Sequence, residues 1–208
     1  MELPSFLIDA GELLQHVSRV AYRGTALHYG RGGANRYDAP SRDYGVLYLG
    51  SDLPTALMES VFHGHAWRVD ARRSIALAEI RGRLVRVVGV LDSLRLADLT
   101  AEGVMAAYLG LNLEQLAGRD YACTQRVSAQ IHAVPGADGV PLFDGVLYPS
   151  RNNYPAASIA LFERAKAKVK VVDDIDLVDH AGWPAFVAAY GIAVEPDPGP
   201  VAPDDEMS

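Results

Sequence analysis

Gly45-Val46-Leu47-Tyr48-Leu49-Gly50 runs without a break into Ser51-Asp52-Leu53-Pro54-Thr55-Ala56-Leu57-Met58-Glu59. The first six residues are aliphatic, β-branched or aromatic between two glycines, the composition of a compact strand. Ser51-Asp52 then offers a side-chain oxygen to cap a helix, and Pro54 falls in the first turn, where a missing N–H is tolerated. The spacing predicts a helix from there to about His63, with Leu57 and Val61 on one face. Glu59 is unusual in this helix. It stands among Ala56, Leu57, Met58, Val61 and Phe62, with little other charge nearby. A carboxylate there is either on the outer face or presented to a ligand.

Upstream of this stretch, residues 28–44 are rich in Gly, Asn, Asp, Pro and Ser and read as a loop. Residues 11–18 predict a helix, with Leu13, Leu14 and Val17 on one side, and Val20-Ala21-Tyr22-Arg23 a short strand ended by Gly24. Downstream, Ser74–Ile80 and Leu84–Leu91 read as two strands around Arg81-Gly82-Arg83. Residues 101–132 read as helical, with breaks near Gly110 and Gly118. Asp144–Tyr148 is a strand followed by the loop Pro149-Ser150-Arg151-Asn152-Asn153. Ser158–Phe162 and Val169–Leu177 are further strands, and Trp183–Tyr190 is a last helix. Strands and helices are interspersed without strict βαβ alternation and without an internal repeat, so the class is α+β.

The chain has 208 residues, 50% hydrophobic and 22% charged, which suits one folded domain with short extensions. The formal net charge is −7. Five acids and no base lie in the tail 195–208, which is expected to be disordered; the folded domain is placed at 1–194. Without the tail, 21 acids face 19 bases. Eight arginines fall between Gln15 and Arg73 against five acids, and arginine presents a planar fork suited to phosphate. The balance argues against direct binding of nucleic acid, which needs a basic face. One cysteine, Cys123, makes no internal disulfide and no multi-cysteine zinc site. The start lacks the basic and apolar regions of a secretion signal, and no apolar run reaches the ~18 residues of a membrane span. A cytoplasmic location is expected.

Some chemistry is disfavoured. Gly30-Arg31-Gly32-Gly33 has no following Lys-Ser/Thr and opens no helix, so it reads as a loop rather than a phosphate cradle. His63-Gly64-His65 has no second ligand cluster and reads as a helix-end pair rather than a metal site. Cys123, among apolar neighbours, reads as a buried, inert thiol. No Gly-x-Ser-x-Gly elbow is present.

Four local patterns remain. They are Tyr22-Arg23-Gly24, Asn35-Arg36-Tyr37-Asp38, Tyr48 followed by Ala56-x-x-Glu59, and Asp144 to Tyr148 followed by Pro149-Ser150-Arg151, with Ala160-Leu161-Phe162 beyond. In this order and spacing they resemble the RES family, over about residues 22–163. The resemblance implies a single α+β domain of the ADP-ribosyltransferase kind, with two small packed sheets flanked by helices. It implies a bacterial NAD-degrading toxin held in check by an Xre-type helix-turn-helix antitoxin. NAD+ would be the substrate and no cofactor or metal would be needed, although inorganic phosphate could serve as co-substrate. By the same resemblance Arg23 and Arg36 would hold the NAD diphosphate, Tyr37 and Tyr48 would pack on the nicotinamide or its ribose, Ser150 would hydrogen-bond at the nicotinamide side, and Arg151 would be a further NAD-binding residue. Glu59 would be the key acid; Arg36 and Ser150 complete the catalytic set. One departure is that Gly32-Gly33 is separated from Arg36 by Ala34-Asn35.

The residues leave several readings open. Water as acceptor makes a glycohydrolase, phosphate a phosphorylase, and a protein side chain an ADP-ribosyltransferase. A binding module for NAD or ADP-ribose would keep the arginines without needing Glu59. A nuclease toxin is disfavoured by the near-neutral body, and a purely structural interaction domain is the plain alternative. The oligomeric state is open, a homo-oligomer included.

Overall fold

The computed structural model describes residues 3–64, 73–112, 114–115, 118, 120–137 and 139–197. Among these are ten strands: β1 (Ser5–Ile8), β2 (Leu13–Arg19), β3 (Val46–Gly50), β4 (Arg73–Ala76), β5 (Arg83–Val90), β6 (Leu94–Asp98), β7 (Gly145–Pro149), β8 (Ala157–Phe162), β9 (Val169–Asp176) and β10 (Ile192–Glu195). Four α-helices accompany them: α1 (Leu53–Met58), α2 (Leu77–Arg81), α3 (Ala122–His132) and α4 (Trp183–Tyr190). A π-helical segment covers Met105–Leu109 and ends at Gly110, which takes the left-handed conformation at φ 60°. No helix among the described residues is long and apolar enough to cross a membrane.

Eight strands form one sheet in the order β1-β6-β7-β8-β3-β2-β5-β9, and β10 and β4 form a parallel pair. The large sheet is divided within itself. β2 and β3 share a single register pair, Gln15 with Gly50, whereas β2 and β5 share seven and β3 and β8 share five. Five strands thus lie on one side of the joint and three on the other. One apolar cluster draws Leu47, Leu49, Leu147, Ile159 and Leu161 from the five-strand half and Leu14, Val88, Val90 and Val169 from the three-strand half. The two halves therefore pack face to face, the two-layer arrangement expected of the class.

Alternation along the strands builds the remaining layers. On β7 and β8, Leu147, Ile159 and Leu161 face the inter-sheet core, while Val146, Tyr148, Ala160 and Phe162 face a second core with α3, where Val127 and Ile131 meet Tyr37, Tyr44 and Phe143. Both faces are buried, which explains their continuous apolar runs. A third core sets Val17 and Val85 against Leu57 and Met58 of α1, Ile80 of α2 and Trp183 and Phe186 of α4.

Several local expectations change. Residues 11–18 form strand β2, not a helix. Leu14 and Val17 have the helical i, i+3 spacing, yet they point to opposite faces of a strand, one into the inter-sheet core and the other toward α1. Val20–Tyr22 is a 3-10 turn rather than a strand. α1 ends at Met58, and the turns that follow bury Phe62 against Phe186, with ring centroids 5.4 Å apart. The segment read as a strand over 74–80 is β4 followed at once by α2. Glu195 closes β10, paired with Ala76, so order extends past the boundary expected at 194; residues 198–208 lie outside the described residues. Cys123 is half-buried, and Arg126 donates to its sulfur at 3.2 Å.

Candidate active site

α1 starts as the sequence requires: the Asp52 carboxylate accepts from the Thr55 N–H at 2.8 Å and Pro54 occupies the first turn. The close approach of strand to helix depends on Gly50, since a Cβ there would lie 2.5 Å from the Ala56 nitrogen. The helix is only six residues long, and Glu59 caps its C-terminal end. A carboxylate at that end sits against the negative pole of the helix dipole, so outside donors must hold it. They come from the loop after β7. Ser150 Oγ donates to Glu59 Oε1 at 2.7 Å and the Arg151 backbone N–H donates to the same oxygen at 3.0 Å. The other oxygen, Oε2, faces Arg36 Nη2 at 3.8 Å.

Arg36 is 4% exposed. Its guanidinium lies 5.3 Å from the centre of the Tyr148 ring and donates from Nη1 to the Pro149 carbonyl at 3.4 Å. Neither Nε nor Nη2 has a hydrogen-bond partner among the described residues. Buried donors of a charged group left without acceptors are costly, which suits a side chain that receives an anionic ligand.

The loop carrying Arg36 is held from three sides. The Asn35 N–H and side-chain amide both donate to Asp38 Oδ2, at 2.9 and 3.1 Å. Tyr48 donates from its hydroxyl to Asp38 Oδ1 and accepts from the Tyr37 N–H, both at 2.9 Å. From α3, Gln125 donates to the carbonyls of Gly33 and Asn35 at 2.9 and 3.0 Å, and Ser128 donates to the Tyr37 carbonyl at 2.7 Å. Gly33 takes φ +71°, a conformation favoured by glycine. The two residues between the glycine pair and Arg36 are therefore an anchored turn.

Tyr37 and Tyr148 pack at 4.5 Å between centroids. Burial pushes the hydroxyls of Tyr37, Tyr48 and Tyr148 well above the ordinary tyrosine range; the Asp38 charge adds to this at Tyr48 and the Glu59 charge at Tyr148, whereas Arg36 opposes it at Tyr37 and Tyr148. These tyrosines stay neutral walls and donors.

Glu59, Arg36, Tyr48, Tyr148, Asn35, Ser60 and His63 surround a cavity of about 250 Å³. Asn35 and Tyr48 also line a second cavity of about 640 Å³, which runs along His16, Ser18 and Arg86 beneath residues 25–28. It occupies the gap where β2 and β3 diverge. A third, of about 550 Å³, lies across Arg36, Ser150 and Arg151, with Leu99, Met105 and Tyr154 as walls. Among the described residues, no three His, Cys, Asp or Glu side chains converge as a metal site.

Of the residues singled out from the sequence, Arg36, Tyr37, Tyr48, Glu59, Ser150 and Arg151 are brought together. Tyr37 is fully buried behind Arg36. Arg151 meets Glu59 through its backbone, while its guanidinium turns to the Gly118 carbonyl at 3.2 Å and to His63. Arg23 is not in the cluster. It pairs with Asp176 and donates to the Asp174 carbonyl at 2.8 Å. Asp38, Gln125, Ser128 and His63 were missed as site residues. Asp38 is visible beside Arg36 but carries no signal of its role, Gln125 and Ser128 reach the site from a helix some 90 residues further on, and His63, four residues beyond Glu59, shows its role only through its partners Tyr121 and Arg151.

The model of the RES domain family matches residues 13–180, wider at both ends than the stretch spanned by the motifs. No curated protein matches the chain. A similar solved structure is the crystal structure of the M. tuberculosis MbcT–MbcA toxin–antitoxin complex. It has a TM-score of 0.57 and 16% identity, covering 82% of this chain and 86% of that one. At that identity the likeness is one of fold.

Proposed function

The chain belongs to the RES domain family, and from that premise we propose that it cleaves the bond between nicotinamide and ribose in NAD+. The observation that carries the reading is the Glu59 carboxylate, held on one oxygen by Ser150 and the Arg151 N–H and turned toward Arg36 on the other, in a cavity walled by tyrosines. When the glycosidic bond breaks, its electron pair leaves with nicotinamide and positive charge builds on the ribose, as in other glycosidic cleavages. A carboxylate ~4 Å from that charge, at an effective dielectric of ~20, contributes about 4 kcal/mol, or roughly 10³ in rate. Water then adds to give ADP-ribose and a proton; phosphate in its place gives a phosphorylated ADP-ribose. Arg36, with two donors unused, would take a diphosphate oxygen, and Tyr48 would pack beside the sugar and base. A module that only binds the dinucleotide has no need of a carboxylate held in this way.

The cellular part of the proposal is growth arrest by NAD loss, relieved by an antitoxin of the Xre helix-turn-helix type that covers the cleft. The fold shared with a protein crystallised in a toxin–antitoxin complex supports it. The test is incubation of the purified protein with NAD+, with and without phosphate, followed by chromatography of the products. NAD loss with release of nicotinamide is expected, and Glu59→Gln should slow it about 10³-fold. Undiminished turnover by that variant would sink the reading.

A further inference from the structure

His63 stands where the turns after α1 meet the loop after β7, and it lines the cavity that holds Glu59 and Arg36. Its Nε2 lies 3.0 Å from Arg151 Nη2 and 3.1 Å from the Tyr121 hydroxyl. A guanidinium has five donors and no acceptor, so the first contact makes Nε2 the acceptor. The imidazole is then neutral, with its proton on Nδ1, and the Tyr121 O–H shares the same lone pair.

This contact bears on Glu59 through one residue. Arg151 is held at its guanidinium by His63 and by the Gly118 carbonyl at 3.2 Å, and its backbone N–H is one of the two donors to Glu59 Oε1. The next residue, Asn152, donates from its side chain to the carbonyls of Met58 and His63 at 3.2 and 3.4 Å. The loop that orients the carboxylate is thus fastened to the end of α1 at Met58 and to the turns after it at His63.

On the reading of Glu59 as the group that stabilises the cleaved ribose, we propose that His63 is a positioning residue: its neutral imidazole anchors Arg151 and so keeps Glu59 aimed at the sugar, and protonation of the imidazole releases that anchor. A proton on Nε2 would set N–H against N–H and cation against cation. Among the described residues, Arg151 from the loop after β7 and Tyr121 at the entry of α3 contact the imidazole, and Glu59 at the end of α1, Arg36 from its loop, and Tyr48 and Tyr148 from β3 and β7 are the titratable or charged groups that share its cavity. The two arginines oppose the cationic form and Glu59 favours it.

The experiment pairs histidine-selective ¹⁵N NMR of the full chain with the pH profile of NAD turnover. The Nδ1–H tautomer of His63 is expected above its titration, and the acid limb of kcat should follow that titration. His63→Ala should lower kcat about 10- to 100-fold, the scale of a misplaced catalytic group, with the KM for NAD within about twofold. His63→Gln, whose amide oxygen can accept from Arg151, should recover most of kcat and lose the acid limb. An Nε2–H tautomer, full kcat in His63→Ala, or an unchanged acid limb in His63→Gln would overturn the proposal while leaving NAD cleavage intact. If wild-type protein removed no NAD at any pH, the Glu59 reading would fail and this proposal with it; the tautomer would still be readable.

Discussion

A guanidinium buried to 4% exposure, with neither Nε nor Nη2 hydrogen-bonded among the described residues and only Glu59 at 3.8 Å to balance its charge, is a costly feature to keep. It is also a feature that composition alone flags only as one arginine among sixteen. A lysine ammonium is a point charge on a flexible stem and cannot offer the planar fork. Arg36→Lys is therefore expected to raise the KM for NAD at least about tenfold while the protein stays folded, as read by steady-state kinetics beside circular dichroism. Glu59 was legible because a lone carboxylate in an apolar helix is conspicuous. His63 was visible only as half of a weak metal pair, because its partners, Arg151 and Tyr121, lie 88 and 58 residues away. Arg23 was legible as an arginine at the end of an element, but its engagement with β9 depends on a strand some 150 residues distant.

At the scale of elements, the strand and capped helix from Gly45 to Glu59 could be read directly, because capping and turn chemistry are local. β2 could not, since its buried residues copy a helical spacing and only pairing with β5 reveals the strand. β10 has the same cause, a partner more than 110 residues away. The polar face of α3 was equally hidden, although it seats the Arg36 loop. Ser128 gives its proton to the Tyr37 carbonyl, so the Tyr44 hydroxyl, 2.9 Å away, must donate to Ser128. Ser128→Ala strands two buried partners, each worth roughly 1–3 kcal/mol. Lower stability in urea and a higher KM for NAD should appear together. Gly50→Ala tests the other support. A methyl 2.5 Å from the Ala56 nitrogen would force α1 away from β3, and the loss of turnover should exceed the loss of stability.

For the whole molecule, acid should weaken the fold before the carboxylates titrate. Burial lowers His16 below its ordinary value, and His132, stacked on Tyr44 at 3.7 Å, is lowered to about 4, by burial first and then by Arg164. Both histidines bind protons more readily unfolded than folded, so stability should be full above about pH 6.5 and decline as pH falls toward 4. Urea midpoints across that range would show it, and His132→Phe, which keeps the stack, should flatten the slope. The long-range pairings that make the sheets have a further consequence for time. β1 waits for β6, β3 for β8 and β5 for β9, so neither half of the divided sheet can close early, and folding of such non-local topologies is slow. On a ribosome moving at ~5–20 residues per second, the stretch from Glu59 to Asp176 takes roughly 6 to 23 s to emerge. Through most of that interval the carboxylate is already made but the Ser150 loop and the last strand of the three-strand half are not, so the pocket around Glu59 cannot assemble on a chain still short of Asp176.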